Sequence, residues 1–276
     1  MATVYPKLHE FVLRSRGFSA GIRTDDAGMR RVLADRIPGA ELLDSGVPDR
    51  LYSVRSSGSG YLVRAGEHTL ARSLSSREAL DRVAREIELA AAGSAPGEIF
   101  IHAGAVGWRG GAIILPGRSF TGKTSLVVEL LRRGATYYSD EYAVFDSLGR
   151  VRPYARPLRI RCGSRFRTCT ARDFGAAVGS EPLGVSLIVF TKYIPQAAWR
   201  ARPVTPGNAL LRLMANAVPV RKRPSETMLS LGPAVLRSRS FCTLRGDGEL
   251  AAGEILRLFD SFQMQGGKVA TDCQKG

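Results

Sequence analysis

Histidine and cysteine are scarce in this chain, with three and four residues among 276. His9, His68 and His102 are scattered, so a zinc site built from the usual nitrogen and sulfur ligands would have to recruit distant segments. Cys162, Cys169, Cys242 and Cys273 form no Cys-x-x-Cys pair and are too few for a disulfide framework in a chain of this length. Reduced thiols without a role are the expectation. No apolar run reaches the roughly 18 residues that a membrane span needs. The segment Met1-Ala2-Thr3-Val4-Tyr5-Pro6-Lys7 has no basic stretch followed by an apolar one. A cytoplasmic protein that avoids membranes is therefore expected. No internal repeat is present.

Acidic residues are also scarce, but only in one region. From Arg150 to Arg245 there are 18 Lys and Arg against three acids (Asp173, Glu181 and Glu226), a net +15, while the rest of the chain balances at 22 against 22. Eight arginines fall between positions 150 and 172 with no acid among them. Such a field favours a polyanionic partner. A solvated arginine-rich surface accounts for many of the same charges. Nucleic acid is disfavoured as the partner, because aromatic residues are sparse there and no recognition motif occurs.

Apolar spacing divides the chain. Residues 1–95 read as an α+β region with a short helix over Asp26 to Ile37 and a turn at Ser56-Ser57-Gly58-Ser59-Gly60. A stronger helix runs from Ser76 to Ala92, since Ser75 and Glu78 have capping-box spacing and Leu80, Val83 and Ile87 recur at helical intervals. Ala92-Gly93-Ser94-Ala95-Pro96-Gly97 breaks it and marks a domain boundary. Residues 96–265 form a second domain, and a polar tail follows from Gly266.

The second domain opens with a strand over Glu98 to Val106, a turn, and a fully apolar strand at Ala112 to Leu115. That strand runs into Gly117-Arg118-Ser119-Phe120-Thr121-Gly122-Lys123-Thr124, which fits Gly-x-x-x-x-Gly-Lys-Thr. A helix from Ser125 to Arg133 follows and stops at Gly134. Strand, glycine loop and helix together suit a phosphate loop. Its glycines let backbone N–H groups turn inward, and the helix aims its positive end at the phosphates. Residues Gly117 to Ser125 are then the nucleotide-binding set, with Lys123 reaching the β and γ phosphates and Thr124 ligating Mg²⁺.

Thr136-Tyr137-Tyr138 reads as a strand ending at Asp140-Glu141, followed by a further strand through Ala143-Val144-Phe145. Carboxylates at a strand end fall beside such a loop in an α/β sheet, where metal-dependent phosphoryl transfer needs them. Val151 to Arg161 reads as extended, Val185 to Phe190 as a strand, Thr205-Pro206 as the start of a helix through Met214, and Glu249 to Phe262 as a closing helix. His102 stands on the strand before the turn, where a lone histidine is more often a packed, hydrogen-bonded core residue than a catalyst.

The residues Phe100-Ile101-His102-Ala103-Gly104-Ala105-Val106, Ile113-Ile114-Leu115-Pro116, the glycine loop, Arg133-Gly134 and Tyr138-Ser139-Asp140-Glu141 resemble the catalytic domain of HPr kinase/phosphorylase and its kinase-like relatives. That domain shares its fold with phosphoenolpyruvate carboxykinases. The resemblance implies an α/β P-loop core, with a mixed sheet and flanking helices behind a small α+β region. It also implies an ATP- and Mg²⁺-dependent kinase acting on a serine-type hydroxyl. Asp140 would be the base facing that hydroxyl, Glu141 would help Asp140 and Thr124 hold Mg²⁺, and His102 would sit by the phosphates or the acidic pair.

Two departures bear on this. The family's second acidic position is usually aspartate. The glycine-rich signature of the bifunctional enzymes is replaced by Pro157-Leu158-Arg159-Ile160-Arg161. Arg156, Arg159 and Arg161 are candidates for holding an anionic acceptor. A peptide or protein serine is the favoured acceptor, with a free small molecule such as an amino acid as the second option. A nucleotide-binding switch without transfer is the non-enzymatic alternative. The parent family assembles as hexamers, which leaves a homo-oligomer open.

Overall fold

Alternating apolar residues turn the first part of the chain into strands. In β1 (His9–Ser15) Phe11 and Leu13 face one core at every second position, while Val12 between them is also buried. β1 pairs with β2 (Phe18–Thr24), and α1 (Met29–Ala34), β3 (Glu41–Leu43), β4 (Arg50–Ser57), β5 (Gly60–Ala65) and β6 (His68–Leu74) follow. The strands form one sheet in the order β3-β1-β2-β4-β5-β6, with only β2 and β4 parallel. Its buried face carries Leu13, Ile22, Tyr52 and Val63 against Leu80, Val83 and Ile87 of α2 (Ser76–Ser94). The helix starts where the spacing predicts: Glu78 N–H donates to Ser75 Oγ at 3.3 Å, and Ser75 N–H donates to Glu78 Oε2 at 2.9 Å.

The computed structural model describes residues 7–117, 122–163 and 165–272. It divides into two units, Met1–Pro96 and Gly97–Gly276.

The second unit contains β7 (Glu98–Trp108), β8 (Gly111–Pro116), α3 (Lys123–Arg132), β9 (Thr136–Ser139), β10 (Tyr142–Asp146) and β11 (Arg150–Arg152). β12 (Leu158–Cys162), β13 (Arg165–Cys169), β14 (Leu183–Tyr193), β15 (Arg202–Pro203), α4 (Pro206–Met214), α5 (Pro224–Arg237), β16 (Arg239–Arg245) and α6 (Gly248–Asp272) follow. The main sheet runs β11-β10-β7-β8-β14-β16-β15, with β9 also on β7. β8, β14 and β16 are parallel neighbours and the other pairs are antiparallel. β11 also pairs with the start of β14, so the sheet curls back on itself.

Packing explains the order. Ile113 and Leu187 meet Leu126 and Leu130 of α3 and Ile255 and Phe259 of α6 on one face. Ile114 and Ile188 meet Leu213 of α4 and Leu231 and Val235 of α5 on the other. Each such side chain contributes about 1.5–3 kcal/mol by leaving water. The architecture is mixed α/β with flanking helices.

Several differences from the sequence expectation are local. The expected extension over Val151–Arg161 is two strands joined by an irregular link, and β12 pairs only with β13, as a hairpin outside both larger sheets. The backbone of α6 continues past Gly266, where a tail is expected, to Asp272. α5 and β16 have no counterpart in the sequence reading. Pro233 inside α5 obscures the helix, and the short, polar-rich Arg239–Arg245 lacks a clear strand signal. Among the described residues no helix is long and apolar enough to cross a membrane.

The turn after β10 carries a firm prediction. Gly149 has φ +75°, and a Cβ there would lie 2.7 Å from the Ala234 backbone nitrogen and 3.1 Å from the Ser230 carbonyl oxygen. Gly149→Ala therefore combines left-handed strain with a clash against α5. A loss of about 2–4 kcal/mol is expected in urea unfolding.

Candidate functional site

The site is organised across β7. On one edge Ala103 pairs with Pro116 at the end of β8, and on the other Ala105 pairs with Ser139 and His102 with Tyr142. The exit of β8 into the glycine loop and the Asp140-Glu141 pair are therefore level with each other on opposite edges. Gly117 N–H donates to the His102 carbonyl at 2.9 Å, and Ala103 N–H donates to the Glu141 carbonyl at 3.1 Å. One strand thus holds both the loop's entry and the acidic pair.

Arg118, Ser119, Phe120 and Thr121 lie outside the described residues, and the loop is described at its ends. Gly122 has φ +81° and precedes the first turn of α3, which it leaves without a side-chain cap. A Cβ at Gly122 would sit 2.3 Å from Arg245 Nη2, a guanidinium nitrogen that donates to the Gly122 carbonyl at 2.8 Å. The positive φ favours glycine here, and any larger residue would also displace the Arg245 guanidinium from the carbonyl.

Lys123 and Thr124 open α3. Lys123 is 9% exposed. Its burial lowers the ammonium pKa, and Glu141 and then Asp140 act against that fall. The Thr124 hydroxyl donates to Asp140 Oδ2 at 2.9 Å. Ser125, on the same turn, is exposed.

Asp140 also accepts from outside the expected set. The Tyr137 hydroxyl is 2.9 Å from Asp140 Oδ1 and 3.0 Å from the Arg156 carbonyl, two acceptors for one proton. Burial is the main influence on the Asp140 carboxyl and raises its pKa, with the Thr124 and Tyr137 hydrogen bonds acting in the opposite direction. Tyr137 is pushed far up by its own burial and by the carboxylate, so it stays a neutral donor.

An uninterrupted strand would put residues 137 and 140 on opposite faces. Here the register shifts by one residue between Ser139 and Tyr137 along β7, and the N–H groups of Glu141 and Tyr142 turn onto Ser139 Oγ at 3.3 and 3.1 Å. These irregularities bring the tyrosine and the aspartate together.

Of the candidate arginines, Arg156 joins the cluster, with Nη1 3.8 Å from Glu141 Oε2. Arg159 and Arg161 are exposed on β12; Arg159 lies over the Phe166 ring at 5.2 Å and Arg161 Nε donates to the Gly163 carbonyl at 3.1 Å. Among the described residues, these ring and hydrogen-bond partners of both lie within the hairpin. His102 is half-buried, its ring centroid 4.8 Å from that of Tyr142.

Two functional candidates have little sequence signal. Tyr137 reads as an ordinary strand residue. Arg245 is 3% exposed at the end of β16, its guanidinium 5.5 Å from the centre of the Tyr193 ring. It is one cation in a region of many, and only the parallel pairing of β16 with β14 brings it to the loop.

Among the described residues no group of three His, Cys, Asp or Glu side chains could hold a metal ion alone. The hydroxyl and carboxylate of Thr124 and Asp140 are hard oxygen donors in contact. That set suits Mg²⁺, which takes one or two protein ligands and completes its shell with phosphate oxygens and water.

No family model and no curated protein matches the sequence. Among solved structures, the Hpr(Ser) kinase/phosphatase from Coxiella burnetii is similar at 13% identity and a TM-score of 0.33, covering 64% of this chain and 99% of that one. This is a distant structural likeness, at a score that carries no functional weight.

Proposed function

We propose that the protein is an ATP- and Mg²⁺-dependent kinase that phosphorylates a serine-type hydroxyl on a peptide or protein. The observation that carries the reading is the bond from Thr124, in the first turn after the glycine loop, to Asp140, with buried Lys123 beside it. Few structural needs explain a buried lysine and a buried carboxylate gathered at an uncapped helix start with a second carboxylate beside them, because each buried charge costs free energy. Phosphoryl transfer uses all of them.

Lys123 and the first N–H groups of α3 bind the phosphates and stabilise the leaving diphosphate. Thr124, Asp140 and Glu141 are the residues that hold Mg²⁺, which when bound neutralises phosphate charge. Asp140 accepts the acceptor's proton. The transition state is loose, so that proton moves late and the base needs position more than strength. Tyr137 fixes the carboxylate's orientation. Arg156 holds Glu141, and His102 fixes the entry to the loop through its carbonyl. A cytoplasmic location and a homo-oligomeric assembly belong to the same reading.

The test is transfer of the γ-phosphoryl label from ATP, with and without Mg²⁺, to serine peptides, free serine and host lysate. Label on a peptide or protein hydroxyl only when Mg²⁺ is present is the expected result. Label on free serine alone would move the acceptor to small molecules. Tight ATP binding with no transfer to any acceptor would replace the kinase with a nucleotide-dependent switch.

A further inference from the structure

β8, β14 and β16 run parallel as neighbours, so their carboxyl ends emerge on one side of the sheet. The carboxyl end of β8 carries the glycine loop. The carboxyl-terminal halves of β14 and β16 line a groove of about 540 Å³, with Phe190, Cys242 and Leu244 among its residues. Its charged lining consists of Lys192, Arg200, Arg202 and Arg212, and no acid lines it. β16 continues from this lining to Arg245, whose guanidinium reaches the Gly122 carbonyl. The groove and the nucleotide loop therefore both lie toward the carboxyl ends of the parallel strands, the end at which α/β sheets bind their ligands.

The four cations are unlike many others in the chain. Arg133, Arg150, Arg156 and Arg223 each lie against a carboxylate. Lys192, Arg200, Arg202 and Arg212 form no ion pair with any described residue, and the Arg212 guanidinium instead lies 5.4 Å from the centre of the Phe190 ring. Gathering four like charges around one concavity costs electrostatic free energy, which an anionic ligand would relieve.

The form of the groove distinguishes between anions. All four cations are exposed, whereas a compact phosphate is gripped best by converging, desolvated donors. The apolar side chains of Phe190 and Leu244 lie among them, Leu244 being 46% exposed. Spread charge with apolar contacts suits an extended chain bearing several carboxylates.

We propose that this groove binds an acidic peptide segment of the phosphoryl acceptor and delivers the neighbouring serine to Asp140. The assignment deepens the kinase reading and rests on it for the identity of the bound chain as an acceptor. It also places the main acceptor contacts on Lys192, Arg200, Arg202 and Arg212 rather than on the hairpin arginines 159 and 161.

The experiment is fluorescence anisotropy with the full chain, using a labelled glutamate-rich peptide containing one serine and the same peptide with lysine for glutamate, in the absence of nucleotide. The glutamate peptide should bind, the lysine peptide should not, and affinity should fall at least about tenfold between 50 and 200 mM salt. Arg200→Glu with Arg202→Glu should weaken binding at least about tenfold. Arg159→Glu with Arg161→Glu, an equal charge change on the hairpin, should alter it less than about threefold. ATP affinity and thermal midpoint in both double variants should match the parent, which shows that fold and nucleotide site are intact. Equal losses in the two double variants, or equal binding of the two peptides, would overturn the assignment. Displacement of the peptide by pyrophosphate at far lower concentration than by unlabelled peptide would also overturn it, in favour of a compact phosphate ligand. Groove-dependent peptide binding without label transfer would sustain the groove and defeat the kinase reading alone.

Discussion

Asp140→Asn should lower phosphoryl transfer about a thousandfold, leave ATP affinity within about threefold, and slightly raise the stability of the nucleotide-free protein. The rate loss follows from removing the only carboxylate that touches both Thr124 and Tyr137 among the described residues. The stability gain follows from linkage. Burial raises the Asp140 pKa above the ordinary 3.8, so the folded state holds this proton more tightly than the unfolded one. The contribution to stability is therefore present at acid pH and is lost as pH rises through the folded pKa, leaving a penalty at neutrality.

Asparagine removes that penalty and can keep the network. Its oxygen accepts from Thr124, its amide donates to the Tyr137 oxygen, and the tyrosine proton turns to the Arg156 carbonyl. Glu141, the stronger of the two favourable influences on Lys123, remains. Melting in Mg²⁺-free buffer at pH 7 should show the variant level with the parent or up to about 1 kcal/mol more stable. A variant that transfers phosphate at the parental rate would remove Asp140 from the mechanism.

Lys123→Met should be the second large effect, weakening ATP binding by one to two orders of magnitude and abolishing measurable transfer. Methionine keeps the stem's packing against the core and deletes only the charge. Here the sign is that of a depressed lysine: the folded state releases the proton more readily than the unfolded one. The empty protein is favoured above the ordinary 10.5 and loses that advantage as pH falls through the folded value. At neutral pH the charge is therefore a burden that bound phosphate relieves. Equilibrium ATP binding and a melting curve, run together, check both halves of the expectation. ATP should raise the parent's melting temperature and leave the variant's nearly unmoved.

Much of this arrangement is legible in the sequence because the signals are local. Capping-box spacing fixes the start of α2, four apolar residues lead into the glycine loop, and Asp140-Glu141 follows a short strand. What escapes depends on contacts between distant segments. Tyr137 and Asp140 meet only because the strand is irregular between them, which strict alternation cannot foresee. Arg245 and the four groove cations lie far from the loop in sequence; strand pairing brings Arg245 to the loop, and β14, β15, the link before β15 and α4 gather the other four around one groove. The abundance of arginine hides them. A field of 18 cations over 150–245 announces an anionic partner without saying which few residues share a cavity.

The arrangement of β9 and β10 along β7 also limits how the chain can change in length. Both strands are pinned to the same edge of one continuous partner, with Asp140-Glu141 between two fixed registers. Insertion or deletion of one residue from 136 to 146 would reverse the facing of every side chain on one side of the change. The turn at Ser147-Leu148-Gly149 is held as well, because the Leu148 and Arg150 N–H groups donate to Asp146 Oδ1 and Gly149 packs against α5. Homologues of this chain should therefore keep the spacing from Tyr137 to Gly149 constant.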